Sequence, residues 1–98
     1  MAGFFWNIRG FNKSIKQEVV RNWSRNNNMQ FGCLIETRVK ERKARKIVSE
    51  VFAGWDSMTN YEHHNLGRIW VVWQQSVRMS PVYKSSQIIT CSILMEGV

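Results

Sequence analysis

Two short apolar runs, each closing on a single polar side chain with an arginine close behind it, limit what this chain can fold into. The first runs through Phe4, Phe5 and Trp6 to Asn7, with Ile8, Arg9 and Gly10 following. The second runs through Leu34 and Ile35 to Glu36, with Thr37 and Arg38 following. A strand that is apolar along its length and polar only at its tip delivers that side chain to the rim of a sheet, and in α/β proteins ligands bind at that rim. The residues between the two runs read as a helix. Ile15, Val19 and Trp23 recur at fours and form one apolar stripe, whereas Lys16, Arg21 and Arg25 face elsewhere. Ser14 followed by Gln17 is a capping-box pattern for its start, and Asn26, Asn27 and Asn28 end it. A strand–helix–strand connection predicts two parallel strands side by side. Asn7 and Glu36 are then expected at neighbouring tips, where an amide oxygen and a carboxylate suit a hard divalent cation such as Mg²⁺.

Further along, Ala44, Ile47, Val48, Val51 and Phe52 keep helical spacing, which predicts a helix from Val39 to about Phe52 with Gly54 as its stop. Its other face carries Lys40, Arg42, Lys43, Arg45 and Lys46, balanced in part by Glu41 and Glu50. That face reads as a solvated exterior in preference to a phosphate-binding surface. Trp55 to Thr59 reads as a third strand, and a polar turn over residues 60–67 leads to Arg68-Ile69-Trp70-Val71-Val72-Trp73. This last run is apolar on both faces, as a central strand should be. Val77 to Tyr83 and Gln87 to Met95 read as an antiparallel pair. The expected order is β-α-β-α-β-β-β-β, a layered mixed α/β domain. Two helices are few for strands that are apolar on both sides. An uncovered sheet face is therefore expected, and such a face is a place for self-association.

Ninety-eight residues set an upper limit of one domain, burying roughly 60–70% of the unfolded surface. The chain is 44% apolar with five Trp, the opposite of a disordered tail. Fourteen Lys and Arg against seven Asp and Glu leave a charge of +7, which suits a polyanionic partner such as DNA. Cys33 and Cys91 stand far apart in apolar runs without metal-type spacing and read as reduced core thiols of an intracellular protein. No segment approaches the roughly 20 apolar residues of a membrane span, and the start lacks the basic and apolar regions of a secretory signal. No membrane partner and no secretion are expected.

The stretch Phe4-Phe5-Trp6-Asn7-Ile8-Arg9-Gly10-Phe11-Asn12 resembles the opening strand motif of the endonuclease/exonuclease/phosphatase (DNase-I-like) superfamily. Leu34-Ile35-Glu36-Thr37-Arg38 is similar to its second motif, in which the Glu binds the divalent metal. Within the superfamily the likeness is to the endonuclease domain of plant LINE-type (non-LTR) retrotransposons. It extends through Asn60-Tyr61-Glu62-His63-His64 and Gly67-Arg68-Ile69-Trp70. The resemblance implies an α/β fold that is the N-terminal half of a four-layered α/β sandwich. It implies Mg²⁺- or Mn²⁺-dependent hydrolysis of DNA phosphodiesters, in a nuclear setting. By it, Asn7 orients the metal, water or scissile phosphate, and Glu36 is a metal ligand. Arg9 stands where members that act on abasic DNA often carry Asp, which implies target nicking for reverse transcription in preference to repair.

The family continues with a Tyr-x-x-Asn-like segment, an Asp-x-Asn motif and a Ser-Asp-His motif, and none of these occurs in the 98 residues. Tyr61 and Tyr83 do not sit in the matching context. The resemblance thus implies that residues 1–98 are a partial domain, truncated at the C-terminus and inactive alone. Losing even one transition-state donor costs about 10²–10³-fold. A non-catalytic basic nucleic-acid-binding module, or an interaction fragment, remains the alternative.

Other polar residues carry less. His63 and His64 point to opposite faces on an extended chain and lack a third ligand at metal spacing, so they read as a solvated turn. Arg9 and Arg38 at the rim are candidate phosphate contacts, and Arg38 is also a candidate support for the Glu36 carboxylate. The Trp and Phe residues of the strands read as core.

Overall fold

The computed structural model describes residues 2–63, 68–85, 87 and 89–94. Eight elements follow in the expected order. They are β1 (Gly3–Asn7), α1 (Ser14–Asn26), β2 (Phe31–Ile35), α2 (Glu41–Val51), β3 (Asp56–Thr59), β4 (Ile69–Trp73), β5 (Arg78–Lys84) and β6 (Ile89–Leu94). The domain is therefore mixed α/β, with two helices and six strands in two sheets among the described residues. The larger sheet has the order β1-β2-β4-β3, and β5 pairs with β6 in a second sheet. β1 and β2 are parallel, whereas β4 runs antiparallel to both β2 and β3. Met95, expected at the end of the last strand, lies outside the described residues.

One face of the larger sheet receives the helices. Leu34, Trp70 and Val72 on that face pack with Ala44, Ile47, Val48, Val51 and Phe52 of the α2 side and with Val20 of α1. Each of these Val, Leu, Ile and Phe side chains contributes about 1.5–3 kcal/mol by leaving water. Phe4 ties the two helices together: its ring stacks on Phe52 at 6.3 Å and meets Trp23 edge-on at 5.7 Å. Gly32 makes this possible, because a Cβ there would lie 2.2 Å from the Phe4 ring.

The two helices meet the expectation differently. α2 buries Ala44, Ile47, Val48 and Val51 as its spacing predicts, although it starts at Glu41, since Val39 turns into the core ahead of it. α1 does not bury its stripe. Ile15 is 70% exposed, Val19 50% and Trp23 37%, while Val20 and Ser24 are the residues it buries. The helix lies over β1, the outermost strand, so a stripe expected to face the core overhangs the edge of the sheet. Its start also differs. Lys13 is the N-cap and makes no side-chain cap bond, and Gln17 Nε2 donates to the Phe11 carbonyl at 3.0 Å, so the capping box does not form. Its end is closed by Asn28 at φ 53°, with Asn28 N–H donating to Arg25 and Met29 N–H to Ser24.

On the far face, the hairpin β5–β6 lies against the sheet. Cys91 Sγ stands 3.7 Å from Met58 Sδ, and Lys84 Nζ donates to the Thr59 carbonyl at 3.0 Å. This cover stops short of β1. Phe5 is 69% exposed, against the reading of strand aromatics as core, because alternation turns it away from Phe4 and Trp6 onto the uncovered end of that face.

Candidate functional site

The parallel register sets Asn7 opposite Ile35, so Asn7 and Glu36 come to neighbouring tips on one rim. Backbone bonds close the chain around these tips. Ile8 N–H donates to Ile35 O and Phe11 N–H to Thr37 O, both at 3.0 Å, and Glu36 N–H donates to Arg68 O at 2.6 Å. β3 is parallel to β2 through their shared partner β4, so Asn60 follows a strand that ends at the same rim.

The backbone at the rim is unusual. Glu36 and Arg38 adopt φ of 55° and 54°, with fully buried Thr37 between them. A non-glycine residue in this left-handed region costs on the order of 1–3 kcal/mol, and such outliers cluster at functional sites. The surrounding backbone bonds hold the strain. They present the Glu36 side chain toward β1, where Arg9 Nε donates to Oε2 at 2.8 Å. Lys16 Nζ donates in turn to the Arg9 carbonyl. Both charged groups are substantially exposed, so the pair contributes at most about 1 kcal/mol. The carboxylate partner is therefore Arg9 and not Arg38, which is exposed and forms no ion pair among the described residues.

No three His, Cys, Asp or Glu side chains gather into a metal cage among the described residues. One carboxylate and one amide at a solvated rim nevertheless fit Mg²⁺ or Mn²⁺ of the kind that keeps waters and takes substrate phosphate oxygens. Glu36 would hold such an ion and Asn7 would lie beside it. His63 is exposed in the turn after β3, and its N–H donates to Asn60 O at 2.9 Å; His64 lies outside the described residues.

The sequence reading left Asn60 and Tyr61 without an assigned role. Asn60 is fully buried; its Oδ1 accepts from the N–H groups of Arg68 and Ile69 at 3.0 Å each, and its Nδ2 donates to Ser85 O at 3.2 Å. It therefore joins the start of β4 to the hairpin. Tyr61 OH donates to Val39 O and accepts from Trp70 Nε1 at 3.2 Å, fastening the segment that leads into α2. Burial pushes its pKa from 10.0 up to about 12, with the Glu41 charge adding to the rise and the Trp70 bond opposing it. A strand that ends on an amide was a signal available at Asn60, as it was at Asn7. Cys33 and Cys91 are free thiols, half-buried between the sheets. Burial raises Cys33 to about 11, with Cys91 adding, and also raises Cys91, where Lys84 acts in the opposite direction.

Compared with family models, with curated proteins and with solved structures, the chain gives no significant match. Among the described residues no helix is long and apolar enough to cross a membrane.

Proposed function

We propose that the rim built by Asn7, Arg9 and Glu36 is the metal- and phosphate-binding part of a DNA phosphodiesterase site, of the endonuclease/exonuclease/phosphatase type found in LINE-type retrotransposons. The supporting observation is that two polar strand tips, Asn7 and Glu36, come to neighbouring positions on one rim. Bound there, Mg²⁺ or Mn²⁺ would neutralise charge on a phosphodiester. Glu36 holds the cation, Asn7 orients the phosphate, and Arg9 and Arg38 supply further positive charge toward DNA. Two tips and two guanidinium groups bind a phosphate more readily than they hydrolyse it, so slow cleavage or none is expected from these residues by themselves. The finer fold assignment, the first half of a four-layered sandwich, and a nuclear setting belong to the same proposal.

Nicking of supercoiled plasmid with and without Mg²⁺, together with Mn²⁺ binding followed by electron paramagnetic resonance, tests it. Mn²⁺ binding that Glu36→Ala abolishes is the expected result. Equal Mn²⁺ affinity in the two proteins would remove Glu36 from any metal site and overturn the reading. A metal-independent nucleic-acid module is the second reading, favoured by the exposed Arg9 and Arg38. It predicts affinity that falls steeply with salt and is indifferent to Mg²⁺.

A further inference from the structure

The five cations of α2 and its start are not equivalent in the folded chain. Arg42 and Arg45, with Ser49 four residues further on, line a groove of about 700 Å³ between α2 and β3. Lys40, Lys43 and Lys46 lie outside it, and Lys46 pairs with Glu50 at 3.9 Å. The wall facing the arginines is β3, which pairs only with β4 among the described residues and contributes Ser57. Phe52 and Trp55 also line it, their rings 5.1 Å apart, with Trp55 only half-buried. Glu41 is the acidic group at one end.

We infer that this groove binds a single-stranded nucleic-acid segment, its phosphates along Arg42 and Arg45 and a base over Trp55. The volume falls in the roughly 300–1,000 Å³ range of built ligand sites. Guanidinium groups match phosphate geometry bidentately, and an accessible indole between a cationic wall and a hydroxyl-bearing wall is the combination that holds unpaired bases without regard to sequence. In a duplex the bases are stacked within the helix and present no face to Trp55. The overall charge of +7 disfavours a second copy of this chain as the occupant. An acidic peptide that adds to the edge of β3 is the competing occupant, and it makes no call on the indole.

The groove requires no metal, so it stands or falls independently of the rim. The test is fluorescence anisotropy of a labelled oligo-dT with the full chain in EDTA, over a series of salt concentrations. Arg42→Gln with Arg45→Gln is compared with the charge-matched Lys43→Gln with Lys46→Gln, and circular dichroism checks that both remain folded. The arginine pair is expected to weaken binding about tenfold and to lower the slope of log K against log salt by about 1.4, as two lost phosphate contacts require. The lysine pair should change either quantity far less. Equal losses in the two variants would overturn the assignment, as would duplex bound as tightly as oligo-dT or a polyglutamate peptide bound more tightly. The rim is scored separately, by Mn²⁺ binding of Glu36→Ala: if that variant keeps its Mn²⁺ while the arginine pair still loses oligo-dT, only the rim reading fails, and if the arginine pair keeps oligo-dT while Glu36→Ala loses Mn²⁺, only the groove reading fails.

Discussion

α1 and α2 carry similar numbers of apolar side chains, yet one helix is seated on the sheet and the other overhangs it. α2 places Ala44, Ile47, Val48 and Val51 at i, i+3, i+4 and i+7, which keeps them on one face of the helix, and all four are buried. Ile15, Val19 and Trp23 of α1 are spaced by fours alone. At 3.6 residues per turn such a row drifts about 40° around the axis with each step, and in α1 it is Val20 and Ser24, to one side of that row, that turn inward. α1 also sits on the outermost strand, where half of the support is missing. Its local fastenings are an exposed bond from Lys16 and a part-buried one from Gln17, whereas α2 is led in by the buried bonds of Tyr61. Periodicity identifies a helix; which face is covered depends on what lies next to it.

The sharpest test of this contrast is a pair of truncations. Ile47→Ala should cost about 2–4 kcal/mol in urea unfolding, because it opens a cavity in the core, whereas Val19→Ala should stay within about 0.5 kcal/mol. Comparable losses would mean that α1 is as firmly seated as α2. Next in size is Tyr61→Phe, which leaves the Val39 carbonyl and the Trp70 indole N–H without their buried partner. Its expected cost is about 1–3 kcal/mol, read as a lower denaturation midpoint with an unchanged slope.

The same tyrosine gives the α2 side an alkaline limit. Cys33 is raised from 9.0 to about 11 and Tyr61 from 10.0 to about 12, so the native chain keeps protons that the unfolded chain releases. Stability is thus complete below about pH 9 and falls as pH rises toward 12. Urea midpoints measured across that window should decline, and Cys33→Ala should delay the onset. Smallest is the effect at the rim. Glu36→Gly removes the left-handed strain at φ 55° and loses an exposed ion pair, so the stability should rise slightly, by no more than about 1 kcal/mol, read as a small upward shift of the melting temperature. A marked loss of stability would show that the ion pair, and not the backbone, dominates there.

The order of elements and the parallel pairing of β1 with β2 were legible because apolar runs and their spacing report burial directly. The shared rim of Asn7 and Glu36 followed from that pairing and from the short connection. The exposure of Phe5 and of the α1 stripe was not legible, since it depends on which strand is outermost, and order within a sheet is a long-range property. The choice of Arg9 over Arg38 as partner of Glu36 depends on left-handed backbone at residues 36 and 38, and side-chain type alone does not announce that at a glutamate or an arginine. Ser14 lost its capping role because Lys13 occupies the cap position, a shift of one residue that the pattern of hydroxyl and amide cannot resolve.

The open edge at β1 has a consequence for the behaviour of many copies at once. Gly3 to Ile8 contains no charge and no proline, is rich in aromatic side chains, and on its outer side pairs with nothing among the described residues. An uncharged, unprotected edge of this composition is a template for strand-by-strand growth into insoluble aggregates. Arg9, just beyond the strand, acts as the gatekeeper charge, and it is partly neutralised by Glu36. Loss of the arginine charge at this corner should therefore harm solubility more than the same loss from the crowded cationic surface of α2.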